Sequence, residues 1–136
     1  MSESSVHTEL VRSLCNWAVI QTKSSAIEVM YSDLPEISLG DKPPSINGYF
    51  PDMYCVSRDG EPIFVGEAKT VRDLESKRSR DQIAAYLRFL ALHESSALVM
   101  AVPWRAVPTA RSLVRAIQRI SGLLAVSVHF LEMLPG

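Results

Sequence analysis

Two short apolar runs, Met53-Tyr54-Cys55-Val56 and Pro62-Ile63-Phe64-Val65, stand on either side of Arg58-Asp59-Gly60-Glu61. Both runs favour strands, and Asp-Gly is a preferred centre for a two-residue type I′ turn. The stretch therefore reads as a β-hairpin whose turn fixes its register. With Asp59 and Gly60 at the tip, Arg58 faces Glu61, Ser57 faces Pro62 and Asp52 faces Glu67. Directly opposed residues share a face, with Cβ atoms roughly 5 Å apart. Side chains alternate along a strand, so Lys69 joins Asp52 and Glu67 on that face. Pro62 falls in a non-hydrogen-bonded pair, where its missing N–H deprives no partner.

Two adjacent carboxylates repel each other unless a cation lies between them. An all-oxygen ligand set suits a hard ion, Mg²⁺ or Mn²⁺. A lysine beside it orients an attacking water and stabilises charge building on a phosphate. A lone Glu-X-Lys is more often a structural ion pair. Here the opposed Asp52, preceded by Pro51, favours the catalytic reading.

Pro51-Asp52, a spacer holding one hairpin, and Glu67-Ala68-Lys69 resemble the motif of the PD-(D/E)XK phosphodiesterases, the restriction-endonuclease-like superfamily. Gln82 and Tyr86 are similar to the Q-x-x-x-Y element of its RecB-like branch. Four residues apart on a helix, they share a face. The resemblance implies that Asp52 and Glu67 bind metal, with the Ala68 carbonyl as a third ligand, and that Lys69, Gln82 and Tyr86 complete the catalytic set. In resolvase-like members a glutamate on the first helix completes the metal site, which makes Glu9 the candidate here. A carboxylate at a helix's positive end is the plain alternative. The RecB-like branch also carries an upstream histidine near the metal, and the only one preceding the motif is His7.

A chain of 136 residues suits one domain with a proper core, spanning residues 1–136. Cys15 and Cys55 have no metal spacing and suggest no disulfide scaffold, so a reducing, cytoplasmic setting is expected. No segment reads as a signal peptide or a bilayer span. Net charge is −1, but its distribution is uneven. Residues 1–67 hold four bases against ten acids, and residues 68–119 hold ten bases against four acids. An acidic half supplying metal ligands and a basic half gripping phosphate produce such an asymmetry.

Residues 5–22 read as a helix with Leu10, Leu14, Trp17 and Ala18 at helical spacing, capped by Thr8 or Ser5. Residues 26–31 read as a strand with Ile27, Val29 and Tyr31 on one face. The Pro/Gly-bearing stretch from Asp33 to Gly48 reads as a loop bordering the site. Tyr49 and Phe50 offer stacking on a base, with core or rim packing the commoner fate. Arg72, Lys77, Arg78 and Arg80 read as a phosphate-contacting arm. Residues 79–93 form a second helix, capped by Asp81 or Ser79. Ala97 to Val102 is a buried central strand. Pro108 opens a third helix with Leu113, Val114, Ile117 and Ile120 as its buried stripe. Arg111, Arg115 and Arg119 make a basic ridge along it, either a phosphate-backbone contact or a solvated face. Leu123 to Leu131 is the last strand.

The order is αβββαβαβ, an α/β fold with a central mixed sheet and helices on both faces. The expected function is Mg²⁺- or Mn²⁺-dependent hydrolysis of DNA, with RNA the less favoured substrate and a homodimer the natural way to cut two strands. The alternative is a catalytically silent nuclease-fold module that holds nucleic acid or a protein partner.

Overall fold

The computed structural model describes residues 3–21, 27–34 and 42–134. Pro35 and Gly40 of the expected loop, and Ala26 of the expected strand, lie outside them. The elements are α1 (Glu3–Gln21), β1 (Ile27–Ser32), β2 (Met53–Ser57), β3 (Pro62–Ala68), α2 (Val71–Leu74), α3 (Lys77–Leu90), β4 (Ala97–Pro103), a 3₁₀ turn (Trp104–Ala106), α4 (Val107–Ser121) and β5 (Ser127–Met133). The five strands form one sheet in sequence order. β1, β2 and β3 pair antiparallel, and β3, β4 and β5 pair parallel. Each parallel step needs a helical crossover, and α3 and α4 supply the two.

Helices cover both faces. α1 packs Leu10, Val11, Leu14, Cys15 and Ala18 against one face, over Met53, Cys55, Ala68, Val99 and Ala101. α3 and α4 bring Ile83, Tyr86, Leu87, Leu90 and Val114 to the other, over Tyr54, Val65, Leu98 and Met100. β4 is buried on both sides, as its unbroken apolar run requires. No helix among the described residues is long and apolar enough to cross a membrane.

The hairpin turn differs from the expected one. Gly60 N donates to Ser57 O at 2.9 Å, and Ser57 N donates to Glu61 O at 2.8 Å. The loop is therefore three residues, Arg58-Asp59-Gly60, with Gly60 in the left-handed region at φ 81°. Arg58 does not face Glu61, and Pro62 pairs with Val56 rather than Ser57. A bulge at Ile63 then takes up one residue, because Cys55 pairs with Phe64, Tyr54 with Val65 and Met53 with Gly66. The bulge restores the register read from the sequence, so Asp52 still arrives level with Glu67. The left-handed pair of a tight turn occurs instead at Asn47 (φ 51°) and Gly48 (φ 85°), closed by reciprocal backbone bonds between Ile46 and Tyr49.

Other boundaries and faces also shift. Ser5 and Thr8 lie inside α1 and do not cap it. Ser76 caps α3, accepting from Ser79 N, so neither Ser79 nor Asp81 is the cap. A register shift in β1 leaves Glu28 bulged, which sends Ile27 to the α1 side while Tyr31 packs on the α3 side. In α4 the buried line is Val107, Ala110, Val114 and Gln118, and Ile120 is 87 % exposed. Gln118 is accommodated inside because its amide donates to the carbonyls of Leu123 and Val126, closing the turn into the last strand. β5 accordingly starts at Ser127 rather than Leu123.

Gly66 sits where α1 presses closest on the hairpin. A Cβ there would lie 2.9 Å from Met53 Cε, 3.0 Å from Met53 Cβ and 3.4 Å from Leu14 Cδ1. Gly66→Ala is expected to lower unfolding free energy by about 1–3 kcal/mol through overpacking, measured by urea titration.

Candidate active site

The polar residues of interest meet at one end of the sheet, where β2 begins and β3 and β4 end. Asp52 directly precedes β2, Glu67 is the penultimate residue of β3, and Lys69 follows it. Backbone bonds lock this end: Asp52 N donates to Gly66 O at 3.0 Å, and Lys69 N donates to Ala101 O at 3.0 Å. Asp52, Glu67 and Lys69 are only 6, 3 and 9 % exposed. Charges so far out of water need partners, and each has them.

Asp52 Oδ2 accepts from Ala68 N at 2.8 Å, and Oδ1 lies 3.4 Å from His7 Nε2. Glu67 Oε1 accepts from Asp52 N at 3.3 Å, and Oε2 lies 3.1 Å from Lys69 Nζ. Lys69 Nζ also donates to Gln82 Oε1 at 2.6 Å. Gln82 Nε2 donates to the Tyr86 hydroxyl at 3.0 Å, which directs the amide oxygen towards Lys69. Among the described residues no buried side-chain polar atom lacks a partner.

Asp52, Glu67, Lys69, Gln82 and Tyr86 are thus brought together. Ala68 meets Asp52 through its N–H. Glu9 is not brought to the carboxylates: it lies on the exposed side of α1, paired with Arg12. His7, two residues earlier and about 200° around the helix, takes that place. The residues of the expected basic arm are spread. Arg72 is exposed on α2, Arg78 covers the Tyr49 ring at 5.3 Å, Lys77 pairs with Asp81 at 2.8 Å, and Arg80 is exposed on α3. Arg111 and Arg115 line a groove between α4 and β5, with Arg111 5.6 Å from the centre of the Phe130 ring.

The sequence reading passed over Asp33. It follows β1 directly, and the pairing of Ser32 with Met53 sets it level with Asp52. Its N–H donates to Asp52 O at 3.3 Å. With β1 placed beside β2, the same register argument that joined Asp52 to Glu67 would have found it.

Negative charge outweighs positive charge here. Burial, and then the neighbouring Asp52, push Glu67 well above the usual carboxylate range, with Lys69 opposing. Burial and the Asp52 charge raise Asp33 to about 6. The hydrogen bond to Asp52 raises His7 above the ordinary imidazole value, against the effect of its own burial. Burial raises the Tyr86 phenol, which therefore stays protonated.

Among the described residues no three His, Cys, Asp or Glu side chains are gathered as a metal-binding group. The donor chemistry nonetheless fits a hard divalent ion held by two carboxylates, with water completing its shell, the usual habit of Mg²⁺. Such an ion would oppose the burial and the Asp52 charge that together raise Glu67. Compared with protein-family models, curated proteins and solved structures, the chain matches none.

Asp33 gives this electrostatic picture a measurable sign. Its folded pKa of about 6 exceeds its ordinary value of 3.8, so ionising it opposes folding. Below pH 3.8 the residue is protonated in both states and has no effect; the penalty grows up to about pH 6 and is complete above it. Asp33→Asn is therefore expected to stabilise the protein above pH 6 and to match wild type below pH 3.8, read from melting temperatures across pH.

Proposed function

We propose that the chain is a metal-dependent phosphodiesterase of the PD-(D/E)XK kind, hydrolysing DNA. The observation that carries this reading is the buried line Asp52, Glu67, Lys69, Gln82, which sets two carboxylates and an ammonium side by side at a sheet end. Asp52 and Glu67 would hold Mg²⁺ or Mn²⁺. Such an ion would supply Lewis-acid polarisation of the phosphate and a lowered pKa for an attached water.

The chain's own residues have separable tasks. Glu67 and Gln82 engage two of the three N–H donors of Lys69, leaving the third for the attacking water or a phosphate oxygen. Tyr86 fixes the direction of the Gln82 amide. His7 Nε2 lies against Asp52 Oδ1 and steadies that carboxylate. Residues 68–119 hold ten bases against four acids, a balance that supports a polyanionic substrate although the bases are spread over several elements. One site per chain cuts one strand, so a homodimer is needed only for paired cuts.

One observation favours the second reading, a nuclease-fold module that holds nucleic acid or a protein partner without cutting. All four carboxylate oxygens of Asp52 and Glu67 already have protein partners, so the network closes on itself without an ion.

Incubation with linear, circular, single-stranded and branched DNA, with Mg²⁺, Mn²⁺ or chelator, separates the two. Cleavage is expected with metal only. Lys69→Ala is expected to stay folded but with a lowered melting temperature, because buried Glu67 loses its counter-charge, and to lower the rate about a hundredfold or more, as loss of a transition-state donor does. Cleavage that survives both the chelator and Lys69→Ala overturns the first reading. Metal-independent binding without cleavage supports the second.

A further inference from the structure

Three large apolar side chains lie exposed around the same sheet end. Phe50, two residues before Asp52, is 61 % exposed. Val71, two residues after Lys69, is 51 % exposed. Trp104 follows the end of β4 and is 40 % exposed. β2 begins where β3 ends, with Met53 level with Gly66, and β3 and β4 run parallel with Ala68 level with Ala101, so all three residues follow or precede their strands at the sheet end that carries Glu67 and Lys69. Isolated exposed apolar residues are ordinary. Three at the one sheet end that carries a buried charged site ask for an explanation.

The charges around the patch identify it. Arg105 stacks on the Trp104 ring at 5.0 Å, and Arg78 stacks on Tyr49, next to Phe50, at 5.3 Å. Arg72 is exposed one residue beyond Val71. An apolar protein surface would have to desolvate these guanidinium groups. An unpaired polynucleotide needs both features together, since its bases stack on rings while its phosphates pair with arginines. An intact duplex keeps its base faces inside the stack and has no use for the rings.

We infer that Phe50 and Trp104 form a stacking platform for unpaired nucleobases, so that this site takes single-stranded or frayed nucleic acid in preference to intact duplex. The inference rests on the phosphodiesterase reading and adds its substrate class. Tyr49 serves as the support for Arg78, being half-buried against the core.

The test is equilibrium binding in chelator, so that nothing is cut. The probes are fluorescent oligothymidylate, an abasic strand of equal length and a duplex of equal length. Wild type is expected to bind oligothymidylate at least about tenfold more tightly than either other probe. Phe50→Ala with Trp104→Ala is expected to remove about a tenfold factor from that affinity, the size of one lost base stack. Duplex affinity and the melting curve should be unchanged. Equal affinity for the abasic strand, equal or tighter binding of duplex, or a double variant indistinguishable from wild type overturns the inference.

Cleavage assays separate this failure from that of the parent reading. Metal-dependent cutting of duplex unaffected by the double variant sinks the platform alone. Base-dependent binding through Phe50 and Trp104 without cutting in any metal leaves the platform and removes the phosphodiesterase.

Discussion

A lysine ammonium held between a buried carboxylate and a buried amide is the contact on which the site's organisation turns. Glu67 is 3 % exposed beside Asp52, and two carboxylates so placed cannot both ionise without a cation close by. Lys69 supplies that charge at 3.1 Å, and Gln82 accepts its second N–H at 2.6 Å. Moving Lys69 away would leave a dry negative charge on Glu67, at several kcal/mol, and an unpaired Gln82 amide oxygen, at about 1–3 kcal/mol. Part of the tension persists, since Glu67 and Asp33 both keep raised pKa values.

The fold serves this arrangement by stacking three independent supports on it. The hairpin delivers Asp52 and Glu67 together, α3 delivers Gln82 and Tyr86 from one face, and α1 delivers His7 from the other. The parallel step from β3 to β4 fixes the far side, where Lys69 N bonds Ala101 O. α1 is anchored in one core cluster, α3 in the other and the hairpin in both, so the polar line is held by packing and not by its own hydrogen bonds alone. Gly66 marks how tight that packing is, because even a methyl group there meets Met53 below van der Waals distance.

Exposure completes the picture. The charged line is dry, yet apolar and arginine-stacked side chains border it in contact with water. Phe50, Val71 and Trp104 stand exposed at the same end of the sheet. A buried charged line beside exposed aromatic side chains is what the proposed binding of an unpaired polyanion requires.

What the chain determined by itself was local periodicity and pairing: the all-apolar β4, the amphipathic α3 with Gln82 and Tyr86 on one face, and the hairpin that sets Asp52 against Glu67. Even there the right register came by a different route, through a three-residue loop and a compensating bulge at Ile63, because one residue of slip flips every side chain to the other face. His7 was legible too. It lies on the line of Leu10, Val11, Leu14 and Ala18, which the core turns inward, whereas Glu9 is off that line. Only tertiary structure placed Asp33 beside Asp52, since that depends on which strand neighbours β2, and only tertiary packing rotated α4 so that Gln118 rather than Ile120 is buried. Contacts within a few residues are fixed by geometry the sequence carries; contacts between elements are fixed by which faces fit together once every element has formed.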